Sequence, residues 1–132
     1  MTRQPVSDLS AMLAGMAPVL DREAWYFVVV EGTPPTPELR DALANAFAII
    51  REDEGVTAIV SGERAGMPFA RITLMVHSAL KGVGLTAAVS GALAEAGIAC
   101  NIIAGYYHDH LFVPWARRDA ALAILQRLSG TG

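Results

Sequence analysis

The stretch FARITLMVHSALKGVGLTAAVSGALAEAGIACNIIA, residues 69–104, decides the fold. It opens on strict alternation. Phe69, Arg71, Thr73, Met75 and His77 fall on one face of an extended chain, and Ala70, Ile72, Leu74 and Val76 on the other. A strand is predicted over Phe69–His77. Ser78–Gly84 (SALKGVG) reads as a glycine-containing loop. Leu85, Val89, Ala92, Leu93 and Ala96 then form one apolar stripe at helical spacing, and Gly97 supplies a stop, so a helix is predicted over Leu85–Ala96. Ile98–Ala104 (IACNIIA) is an apolar strand. Gly105–His108 turns the chain into a further strand that starts near Asp109, contains Leu111–Val113 and ends at Pro114. Arg117–Leu128 reads as a last helix with Ala121, Ile124, Leu125 and Leu128 on its inner side, and residues 129–132 as a frayed tail.

This order, β-α-β-β-α, is one strand short of the split β-α-β pattern, an antiparallel sheet with two helices on one face. The missing strand must come from the first half or from another chain. Upstream, Ser7 is a candidate cap for a helix over Asp8–Ala17, in which Leu9, Met12, Leu13 and Met16 recur at helical spacing and Pro18 sits near the end. Trp25–Glu31 (WYFVVVE) is aromatic and β-branched, as in a strand buried on both faces. Gly32–Pro37 contains three prolines and is a loop. A short helix follows near Glu38–Leu43. Phe47–Arg51 and Val56–Ser61 flank the charged tip Glu52-Asp53-Glu54-Gly55 as a hairpin. Glu63–Pro68 is the best boundary. The helix and the Trp25–Glu31 strand look like the closing α-β of a split β-α-β module, so two small interlocked modules are expected.

Charge narrows the function. The chain of 132 residues is 53% hydrophobic and only 17% charged, with a net charge of −3. It can bury a core and an interface, and it offers no basic stripe for nucleic acid. From Ile72 to Tyr107 only Lys81 and Glu95 are charged, which requires burial in a core or against another chain. Residues 1–66 carry net −5 and residues 67–132 net +2, a division suited to a C2 homodimer. The apolar segment Leu9–Leu20 has an acidic start and a proline, unlike a secretory signal, and no apolar run is long enough for a bilayer span. A cytoplasmic protein is expected. The lone Cys100 cannot form an internal disulfide.

The run His77-Ser78, Leu80-Lys81-Gly82-Val83-Gly84-Leu85-Thr86, Ala94-Glu95-Ala96-Gly97-Ile98 and Asn101-Ile102-Ile103 resembles the ACT domain, a small amino-acid-sensing module. The continuation Ala104–Pro114 (AGYYHDHLFVP) is similar to short bacterial ACT proteins that stand alone, without an attached enzyme, and whose function is not established. The regulatory segments of aspartate kinases are more distantly similar. The resemblance is clear over Arg71–Leu128 and looser over Leu13–Ser61. It implies an α+β, ferredoxin-like (βαββαβ) fold, with residues 1–66 as a degenerate ACT-like half and 67–132 as an ACT-like module. It also implies a non-catalytic regulatory role, an amino-acid ligand touched by Ser78, Leu80, Gly82, Val83, Gly84 and Asn101, no cofactor, and a metabolic enzyme as a possible partner.

The chemistry of the loop agrees. Gly82 and Gly84 let backbone N–H groups approach a ligand, and they precede a helix whose N-terminal N–H groups and dipole favour a carboxylate. Asn101 can both donate and accept. Two other readings stay open. An enzyme or zinc site would use His77, His108, Asp109 and His110, although no HExxH or CxxC spacing supports it. A ligand-free interaction module would instead dock on a partner. Trp25, Trp115, Tyr106 and Tyr107 read as core or interface aromatics, and Cys100 as a buried, inert thiol.

Overall fold

The computed structural model describes residues 8–30, 36–77 and 83–130. The elements run α1 (Leu9–Ala14), β1 (Pro18–Val30), α2 (Pro37–Ala44), β2 (Ala48–Glu52), β3 (Gly55–Ser61), β4 (Phe69–Leu74), α3 (Leu85–Glu95), β5 (Asn101–Ala104), β6 (Asp109–Pro114), a 3-10 turn (Trp115–Arg117) and α4 (Arg118–Leu128). The sheet is antiparallel and six-stranded, in the order β2-β3-β1-β4-β6-β5. Counted from β4, the strands β1-β4-β6-β5 stand in the order fourth, first, third, second. The strand that the second half lacks is therefore β1, from the first half. The fold is α+β and ferredoxin-like, built from two interlocked modules.

By compactness, one unit runs through Arg22 and resumes at Ala70, and the other spans Glu23–Phe69. α1 and the start of β1 group with the second half of the chain.

The first unit packs its helices on one face of its strands. In β4, Ala70, Ile72 and Leu74 are buried and alternate with half-buried residues. On α3, Leu85, Val89 and Leu93 are buried at four-residue spacing against them, joined by Met12, Met16, Leu111, Val113, Ala121 and Leu125. Ala92 is only half-buried and Ala96 is exposed, so the stripe of α3 is narrower than expected. The stop at Gly97 is as the sequence reads. Gly97 has φ +71°, its N–H donates to Ala94 O at 3.0 Å, and the Ile98 N–H donates to Leu93 O at 3.0 Å. These two bonds make a Schellman motif, and buried Ile98 returns the chain to the core.

Several boundaries move. α1 stops at Ala14 rather than Ala17: the Met16 N–H turns back to Leu13 O at 3.3 Å and Ala17 takes φ +41°, which leaves the helix. Its cap is Asp8, whose carboxylate accepts from the Ala11 N–H at 3.0 Å, while Ser7 lies outside the described residues. Pro18 opens β1 rather than ending a helix, and β1 starts seven residues before Trp25. Asp21, Arg22 and Glu23 fall inside β1. In the fold Asp21 meets Arg71 of β4 at 3.2 Å. β4 ends at Leu74 and β5 begins only at Asn101, so both strands are shorter than their apolar runs.

The second unit holds β1 from Glu23 onward, α2, β2 and β3. Buried Ala42 of α2 packs on Ala58 and Val60 of β3, with Val28 and Val30 beside them. That cover lies on one face, so Phe27 and Val29 are 37% and 62% exposed, and β1 is not buried on both faces. Trp25 is core and stacks edge-on with Phe47 at 5.9 Å. Asp53 and Glu54 form a two-residue hairpin tip between the paired Glu52 and Gly55.

Candidate ligand site

Gly84 stands at the opening of α3 with φ +102°, a conformation that suits glycine, and no side chain caps the helix there. Its C=O accepts from the Ala88 N–H at 2.9 Å. The first-turn N–H groups of a helix have no partner within it, so this end presents donors and the positive end of the dipole. Val83, just before it, is 81% exposed. One neighbour crowds the position. A Cβ at Gly84 would lie 3.2 Å from Leu9 Cδ2 of α1.

Of the six residues implied for a ligand, Ser78, Leu80 and Gly82 lie outside the described residues. Val83 and Gly84 are together at the opening of α3. Asn101 is exposed and opens β5, in register with Phe112. It follows the far end of α3, whose 11 residues span roughly 16 Å. Its neighbour Ile102 packs on the core beneath the helices, so the Asn101 side chain is on the other face of the strand.

The histidines separate. His108 and His110 have ring centroids 6.4 Å apart, whereas His77 lies against Tyr107 at 5.6 Å and Tyr106 at 6.3 Å. Among the described residues no group of three His, Cys, Asp or Glu side chains is placed to hold an ion. His110 Nδ1 instead shares a hydrogen bond of 2.9 Å with Thr73 Oγ1, tying β6 to β4. Burial, then the charge of Arg71, then that of His108, hold its pKa below the ordinary 6.5. Burial pushes the Cys100 thiol up to about 11, which makes it a poor nucleophile at neutral pH.

The His110 shift has a sign that can be measured. The folded state resists a proton that the unfolded chain accepts, so its contribution to stability is complete above pH 6.5 and is lost as pH falls below that value. Urea midpoints should drop between pH 7.5 and pH 5.5, and the drop should be smaller in His110→Gln. An equal drop in the two proteins would remove His110 as its cause.

Sequence reasoning did not find the contact of Leu9 with Gly84, the Thr73–His110 bond or the His77–Tyr106–Tyr107 cluster. Each joins residues far apart in the chain, and no local spacing signals them.

Comparison with known proteins gives the family. Sequence profiles of the ACT domain match residues 70–127 and residues 4–68. The chain belongs to the ACT-domain family. A Vibrio cholerae protein of unknown function, described as a possible transport protein, is 39% identical over 92% of this chain and 95% of its own, with a TM-score of 0.75. An Agrobacterium tumefaciens protein is 17% identical over 80% of this chain and 83% of its own, at a TM-score of 0.64. The regulatory subunit of aspartate kinase from Thermus thermophilus shares the fold at 16% identity, covering 86% of this chain and 97% of its own, at 0.62. A search of curated proteins finds no match. No helix among the described residues of this ACT protein is long and apolar enough to cross a membrane.

Proposed function

We propose that this ACT protein is a non-catalytic, cytoplasmic regulatory module that binds a small α-amino acid between two copies of itself. The observation that carries the reading is the opening of α3. Gly84 in a left-handed conformation and exposed Val83 leave helix N–H groups approachable, in a chain with an ACT domain in each half. A carboxylate would sit there, with the loop residues Ser78, Leu80 and Gly82 next to it in sequence.

The second copy follows from the placement of Asn101. β5 ends the strand order, and the outward residues of α3 beside it in sequence, Thr86, Ala87, Gly91 and Ala94, are exposed and uncharged. A twofold axis beside β5 and normal to the sheet would extend the sheet and let two such helices approach closely. Antiparallel pairing would bring Asn101 of the second copy toward the Val83–Gly84 end of the first. Ligand and assembly would then be linked.

Two measurements test this. Light scattering at micromolar concentration should give a mass near twice the 13.9 kDa of one chain. A thermal-shift screen of the twenty amino acids should raise the melting temperature for a subset at millimolar concentration. A dimer with no response to any of them would favour a ligand-free docking module, and a monomer would remove the shared site.

A further inference from the structure

We draw no further inference here: the strongest candidate, the exposed apolar patch that Phe27, Val29 and Ile50 form on the sheet face of the second unit opposite α2, carries none because nothing in the structure shows what covers it.

Discussion

Leu93→Ala should lower the free energy of unfolding by about 2–5 kcal/mol, a large fraction of the roughly 5–15 kcal/mol that holds a domain together. Leu93 is fully buried among Val89, Ile98, Leu125 and the inner residues of β4 and β6. Its carbonyl also receives the Ile98 N–H that closes α3, so the residue sits where helix, stop and core meet. Truncation removes apolar contacts and leaves a cavity that the packed helices fill only in part. Urea denaturation should show a lower midpoint with an unchanged slope. A loss under about 1 kcal/mol would mean that α3 is not seated on the core as described.

Gly84→Val is the second large effect, and it separates stability from binding. At φ +102° a β-branched residue is strained, by about 1–3 kcal/mol, and its Cβ would crowd Leu9 Cδ2 at 3.2 Å. The crowding falls on the end of a flexible side chain, so Leu9→Ala should relieve that part while the backbone strain stays. The valine side chain would also block approach to the α3 N–H groups. The variant should therefore lose its thermal response to amino acids as well as part of its stability. Retention of both at wild-type level would rule out the proposed role of this glycine.

Local periodicity determined more of this protein than its composition did. The alternation of β4, the Leu85–Val89–Leu93 stripe and the Gly97 stop were legible because each is set by neighbours within a turn or two of chain. The resemblance to ACT domains was carried by the same stretch. The opening of α3 was legible for a similar reason, since a glycine just before an apolar helix marks the turn that enters it, and Gly84 takes that position with φ +102°.

Only the tertiary structure decided the rest. Asp21 lies in a strand, where Arg71, fifty positions away, gives its charge a partner. β1 shows apolar residues to solvent because α2 covers one face alone, which no run of valines reveals. Tyr106 and Tyr107 are exposed while Trp25 is core, although all three read alike in sequence. The physical reason is common to these cases. Burial, charge pairing and ring contact depend on what long-range strand pairing brings alongside a residue, and a side chain's type and spacing state only what it could bury or pair with.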